Sequence, residues 1–278
     1  SSEHNTDDTA VKKKPGWFRS NNNMAKSSQS VGLRYPAFDI FWGIADTSGD
    51  DQESKNTLAI AGGGGSAKSG VGNVLNMCQL DWAKKKLQLE TPVEVDTGEE
   101  LCGVICVHPE GEVVCCGFGA AFRLFVIHEN KMVLVGEQLS DEAEETPSVN
   151  SVCFSPKGDN IVAGGEDGKV RVWKLQNLKG AVAGARASGE GRVDIAPVCV
   201  CAGHGGPVTS VAHHPFAAVV ASAAKDGSWR LWQARSGAQL AVMPCEADPA
   251  AVAEGKRASN GRGGRPAGAP QYRACRFS

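Results

Sequence analysis

The chain repeats itself, and the repeat limits what it can fold into. Residues 151–175 read SVCFSPKGDNIVAGGEDGKVRVWKL and residues 210–234 read SVAHHPFAAVVASAAKDGSWRLWQA. Laid side by side without a gap, Pro156 falls on Pro215, Asp167 and Gly168 on Asp226 and Gly227, and Trp173 on Trp232. A third copy stands at residues 104–127. It matches at Pro109 and Gly111 and, after a one-residue deletion, puts Phe125 where the tryptophans stand. Each copy has the same physical content. An alternating strand runs up to a proline, and a short apolar run follows. Asp-Gly then supplies the positive φ that a tight hairpin needs. The next strand alternates exposed and buried residues. Three strands, a loop and a return make a four-stranded sheet. Such a unit cannot bury both of its faces alone, so several must stack.

Composition narrows the function classes. The formal charge is −2, so there is no global electrostatic case for nucleic acid or an acidic membrane. Ten cysteines are present, and Cys102, Cys106, Cys115, Cys116, Cys153, Cys199 and Cys201 sit among small apolar residues. No C-x-x-C pair occurs, which excludes zinc-ribbon spacing. Cys199 and Cys201 share one face of a strand. These thiols read as reduced, buried small hydrophobes, which implies a cytosolic or cytosol-facing compartment. No run approaches the roughly 20 apolar residues that span a bilayer. The start of the chain has no hydrophobic signal core.

Gly203 and His204, then Asp226 and Gly227, then Trp232 resemble the WD-repeat family. That resemblance implies a β-propeller in which His204, Ser222, Asp226 and Trp232 form a buried hydrogen-bonded tetrad. An Asp–His pair also suits catalysis, but here the pattern reads as a structural tie between strands. The Asp that closes the WD dipeptide is replaced by Lys174 and Gln233. The expected fold is all-β, a WD-repeat β-propeller that is incomplete, with about four of the roughly seven blades of a closed ring. Residues 1–33 form a disordered N-terminal tail and 34–245 the partial propeller. Residues 246–270 are a low-complexity insertion, and 271–278 begin a further, truncated blade. Residues 176–197 read as a loop.

Blade one departs from the pattern. Residues 38–44 and 57–61 read as its first two strands, after which a normal blade turns within two or three residues. This one runs Gly62, Gly63, Gly64, Gly65, Ser66, Ala67, Lys68, Ser69, Gly70, Val71, Gly72, Asn73 before strand pattern resumes at Val74. Four successive glycines lose much backbone entropy on ordering. Such a loop can gather carbonyls around a cation or amides around an anion. Gly62, Ala67, Lys68 and Ser69 stand one substitution from the phosphate-binding G-x-x-x-x-G-K-[ST] loop. That loop must lead into a helix, whereas Gly70, Gly72 and the alternation that follows argue for a strand.

The loop resembles a specific family. Gly62, Gly63, Gly64, Gly65, Lys68, Gly70 and Asn73 follow the G-G-G-G-x-x-K-x-G-x-x-N pattern of the endoplasmic-reticulum guanine nucleotide-exchange factors of the COPII coat, the prolactin regulatory element-binding protein family. Tyr35 and Pro36 before the loop, and Tyr272, Arg273, Cys275, Arg276 and Phe277 near the end, extend the similarity. The resemblance implies a parent on the cytosolic face of the endoplasmic-reticulum membrane. It would be held there by a C-terminal helix absent from this chain, which alone would be soluble. The implied partner is the small GTPase that initiates COPII vesicle formation, not a nucleic acid. The implied activity is nucleotide exchange without covalent chemistry, carried by Gly62, Gly63, Gly64, Gly65, Lys68, Gly70 and Asn73. A potassium ion held by the carbonyls of Gly62, Gly63, Gly64 and Gly65 is implied as cofactor. Lys68 would meet acidic groups of the partner, and Asn73 would tie the loop base. The alternative is a WD-repeat scaffold or cargo-exit facilitator without exchange activity.

Overall fold

The computed structural model describes residues 36–44, 56–65, 70–81, 86–128, 131–244 and 275–276. The chain divides into Ser1–Gly32 and Leu33–Ser278, and all described residues belong to the second unit. The tail 1–33, the insertion 246–270 and most of the segment 271–278 lie outside the described residues.

Among the described residues, sixteen strands form four antiparallel sheets, each a meander of four consecutive strands. The first holds β1 (Ala37–Ile44), β2 (Asn56–Gly62), β3 (Asn73–Asp81) and β4 (Lys86–Gly98). The second holds β5 (Cys102–Val107), β6 (Val113–Phe118), β7 (Ala121–His128) and β8 (Lys131–Leu139). The third holds β9 (Val149–Phe154), β10 (Asn160–Gly165), β11 (Val170–Gln176) and β12 (Asp194–Cys201). The fourth holds β13 (Val208–His213), β14 (Val219–Ala224), β15 (Ser228–Gln233) and β16 (Gln239–Pro244). The inner strands β1, β5, β9 and β13 neighbour one another in chain order, bordering a hollow of about 830 Å³. These are successive blades of a propeller.

The apolar runs are explained by burial on both faces. In β6, Val114, Cys116 and Phe118 join the cluster shared with blade one, while Val113 and Cys115 join the cluster shared with blade three. In β10, Ile161 and Ala163 face blade two and Val162 faces blade four. A strand packed on both sides cannot alternate polar with apolar, so it reads as a continuous apolar run. Cys102, Cys106, Cys115, Cys116 and Cys201 fill these interfaces as small apolar groups. Burial pushes the thiol of Cys201 up to about 12 and those of Cys115 and Cys116 well above the ordinary range.

A repeated tie joins neighbouring inner strands. Asp39 Oδ2 accepts the Ile105 N–H at 2.9 Å, and Ser151 Oγ accepts the Val211 N–H at 3.0 Å. Ser210 Oγ accepts the Cys275 N–H, also at 3.0 Å. Cys275 therefore stands to blade four as Val211 stands to blade three, in the place where the next inner strand is expected.

The WD residues meet as expected. Trp232 Nε1 donates to Ser222 Oγ at 2.7 Å, and Ser222 Oγ lies 2.7 Å from His204 Nε2. His204 Nδ1 lies 3.1 Å from Asp226 Oδ2, which also accepts the Gly205 N–H at 2.9 Å. One assignment of protons satisfies the whole chain: Trp to Ser, Ser to a neutral His at Nε2, and His Nδ1–H to the carboxylate. Burial lowers the His204 pKa from its ordinary 6.5 despite the neighbouring Asp226. Burial works against ionisation of Asp226, but the N–H groups of Gly205 and Ser228 outweigh it and hold the carboxyl below its ordinary 3.8. The two Asp-Gly turns need their glycines: Gly168 has φ +75 and Gly227 has φ +80.

Blade three reaches the same end with other side chains. Trp173 Nε1 donates to Ser140 Oγ at 3.1 Å, and Arg171 bridges the Ser140 carbonyl and Asp167 Oδ2, both at 2.7 Å. Buried Asp141 accepts the N–H groups of Ser148 and Asp167. This network has no sequence signal, because no Gly-His pair marks it.

The connection 176–197, expected to be a loop, holds helix α1 (Leu178–Ser188) and the start of β12. Ala181, Val182 and Ala185 bury one stripe of the helix in the cluster between blades two and three. Gly189 ends it in the left-handed conformation, with its N–H on the Ala185 carbonyl.

Candidate functional site

The glycine loop is an extended turn between β2 and β3. It spans residues 63–72, where the same turn in the other blades spans residues 119–120, 166–169 and 225–227. The strands on either side stay paired to the end: Gly62 lies opposite Val74 and Ala37. The additional chain is therefore an insertion at a hairpin tip, not a disrupted sheet.

Asn73 organises the base. The residue is 2% exposed. Oδ1 accepts the Gly65 N–H at 2.8 Å, while Nδ2 donates to the carbonyls of Gly65 at 3.3 Å and Gly98 at 3.0 Å. One amide thus closes a ring over eight residues and pins it to the end of β4. Gly63 donates its N–H to the Pro36 carbonyl at 3.1 Å. Its φ is +145, and a Cβ there would sit 2.4 Å from Asn73 Oδ1 and 2.5 Å from Asn73 Cα. Only glycine suits that position, for space and for backbone conformation together. Gly65 (φ +69) and Gly70 (φ +74) also take left-handed conformations. The structure thus brings Gly62, Gly63, Gly64, Gly65 and Asn73 together at the base and leaves Gly70 exposed beyond it. Lys68, with residues 66, 67 and 69, lies outside the described residues. The Gly98 carbonyl is the anchor that sequence reasoning missed, since a carbonyl carries no residue-type signal.

Two chemistries can be tested on this geometry. The phosphate-binding reading requires a helix after the loop, and β3 stands there instead. The potassium reading requires free carbonyls. Gly65's already accepts the Asn73 amide, and Gly62 lies within the strand ladder. Among the described residues, the carbonyls of Gly63 and Gly64 are the members of the implied set on which no protein donor is seen. No group of three or more His, Cys, Asp or Glu suited to a metal is found among the described residues.

Replacing Asn73 by Ala is expected to lower stability by about 1–3 kcal/mol, because a buried amide and two carbonyls lose their partners. Hydrogen exchange at the Gly65 amide should accelerate with it. Unchanged protection at Gly65 would show that the brace does not hold the loop.

The WD40 family model, described as WD domain, G-beta repeat, matches residues 138–174 and 195–233. These two segments are WD40 repeats. Each begins in or near the outer strand of one blade and ends in the third strand of the next, so consecutive blades are stitched by sequence as well as by packing. DDB1- and CUL4-associated factor 11 homolog of Caenorhabditis elegans is 27% identical over 163 residues, covering 56% of this chain and 26% of its own length. Periodic tryptophan protein 2 homolog of Schizosaccharomyces pombe is 27% identical, over 50% of this chain and 14% of its own. SEC12-like protein 2 of Arabidopsis thaliana is 25% identical, over 40% of this chain and 30% of its own. The chain thus spans under a third of the length of these relatives. A chain of Chaetomium thermophilum Polycomb Repressive Complex 2 superposes with TM-score 0.50 at 16% identity, covering 73% of this chain and 41% of that one. That likeness concerns the fold alone.

Proposed function

We propose that the chain belongs to a guanine nucleotide-exchange factor for the small GTPase that initiates COPII vesicle formation at the endoplasmic reticulum, acting through residues 62–73. The observation that carries this reading is the long glycine-rich turn braced by Asn73. A blade needs two to four residues at that turn, as the other three show. A buried asparagine has no reason to pin a spacer. The match to SEC12-like protein 2 supports the same reading.

An exchange factor makes no covalent change. It binds the nucleotide-free GTPase more tightly than the GDP-bound form, and a thousandfold faster release needs only ~4 kcal/mol of that difference. The braced base gives the tip a fixed root from which to press on the nucleotide site. Lys68 would meet acidic groups on the GTPase, and Gly70 would let the chain turn back towards Asn73. A potassium ion on the Gly63 and Gly64 carbonyls would stiffen the tip further.

The direct test is release of labelled GDP from the COPII GTPase, with the full-length protein added in potassium and then in sodium or lithium buffer. Stimulated release is expected, falling in the smaller cations. No stimulation in any buffer would overturn the exchange reading. Equal stimulation in all would remove the ion and leave the loop as a bare wedge. The second reading is a scaffold without exchange activity. It is favoured by the relatives other than SEC12-like protein 2, two of which match over half or more of this chain.

A further inference from the structure

Antiparallel strands place their turns alternately at two ends of each sheet. The glycine loop shares one end with the Asp167 and Asp226 hairpins. At the opposite end lie residues 155–159, 214–218 and 234–238, the turns after β9, β13 and β15. Between blades three and four at that end is a hollow of about 470 Å³. Lys157, Lys174 and Arg235 line it, all exposed, and among the described residues none of them pairs with an acid. The carboxylate on its wall, Asp159, is engaged by Ser155 Oγ at 2.7 Å and Asn160 Nδ2 at 2.9 Å.

Beside these cations stands Phe216, 95% exposed. It is not on a slack turn. His214 Nδ1 accepts the N–H groups of Phe216 and Ala217, both at 3.0 Å, and His213 Nδ1 donates to the His214 carbonyl at 2.8 Å. The turn thus fixes the backbone that carries an exposed aromatic ring, with Val198 of β12 exposed on the same hollow. An aromatic side chain on a braced turn, rimmed by unpaired positive charge, is a two-part recognition surface.

We propose that this hollow docks an acidic peptide segment, a stretch of Asp and Glu bearing an apolar side chain that packs on Phe216 and Val198 while its carboxylates meet Lys157, Lys174 and Arg235. Charge complementarity selects the occupant. Three cations beside the Asp159 carboxylate would gain little from counterion release on a polyanion, and a bare phosphate backbone would leave the apolar half of the site unused. The site lies at the end of the blades away from the glycine loop, so the proposal does not rest on the exchange reading.

The test uses the full-length protein and a short fluorescein-labelled peptide of Glu and Asp around a central Leu-Trp pair. Anisotropy should report binding that weakens with salt and is lost in the Gln/Asn counterpart. Phe216→Ala and Lys174→Glu should each weaken it by about tenfold or more. Both positions are exposed, and unchanged unfolding midpoints would confirm intact folds. Arg235→Glu provides a third variant at a different turn. Equal affinity for the neutral peptide would overturn the proposal. So would binding that is indifferent to Phe216→Ala and fully competed by an RNA oligonucleotide, which would leave only a non-specific anion patch.

Discussion

Replacing residues 63–72 by a two-residue Asp-Gly turn is expected to leave the four sheets folded and to abolish stimulated GDP release. The fold half of this expectation rests on register. Gly62 and Val74 already face each other, so the hairpin can close without moving either strand. Blade two joins the same two strands through residues 119–120 alone. Asn73 would lose Gly65 but keep the Gly98 carbonyl as a partner. The unfolding midpoint should therefore move by only a few degrees. The functional half rests on the loop being the part of blade one that a propeller does not need. Loss of exchange with a retained fold would amount to the full ~4 kcal/mol of a thousandfold stimulation. Exchange at the original rate in the shortened protein would defeat the assignment. Gly63→Val should approach the same loss by another route. A side chain there collides with Asn73, and a β-branched residue resists φ +145.

What could be read in advance followed from periodicity and from turn chemistry. The Pro, Asp-Gly and Trp positions of residues 151–175 and 210–234 placed two blades, because each marks a physical event that recurs. Phe125, put at the tryptophan position despite the deletion, lies opposite Val114 as Trp232 lies opposite Val220. Helix α1 went unread because its buried stripe is small residues, its N-terminus has no side-chain cap, and it interrupts a blade where a turn is the norm. The Ser140, Asp141 and Arg171 network went unread for a different reason. It solves the same bonding problem as His204 and Asp226 with residue types that signal nothing on their own. At the glycine loop, residue type pointed to the unusual backbone. Which atoms close the base depended on Gly98, 25 residues further on. Long-range partners of a carbonyl cannot be read from a sequence.

Asp226→Ala is expected to cost about 3 kcal/mol, at the upper end of what one buried network member contributes. The carboxylate has several donors to satisfy: His204 Nδ1, the Gly205 N–H, and the N–H and Oγ of Ser228. Removing it leaves an imidazole, its side chain fully buried, with Ser228 Oγ at 3.1 Å as the remaining partner of Nδ1. Trp232 would keep its bond to Ser222, so the loss should be local to the start of the blade. Acid should reproduce part of it in two stages. The His204 pKa is lowered in the folded chain, so the unfolded chain takes up a proton first. Stability present above pH 6.5 is then lost as pH falls through that value towards the folded pKa. The Asp226 pKa is also lowered, so its contribution is complete above 3.8 and is lost as pH falls below that value. Urea unfolding of the wild type and Asp226→Ala across this range separates the two stages. The mutant should lack the lower one. Its His204, no longer beside a carboxylate, should charge less readily and keep the upper stage. A tetrad built for chemistry would behave otherwise: Asp226→Ala would abolish exchange or binding and leave the unfolding midpoint in place. Stability lost with no change at the glycine loop is the outcome that marks these four side chains as a tie between strands.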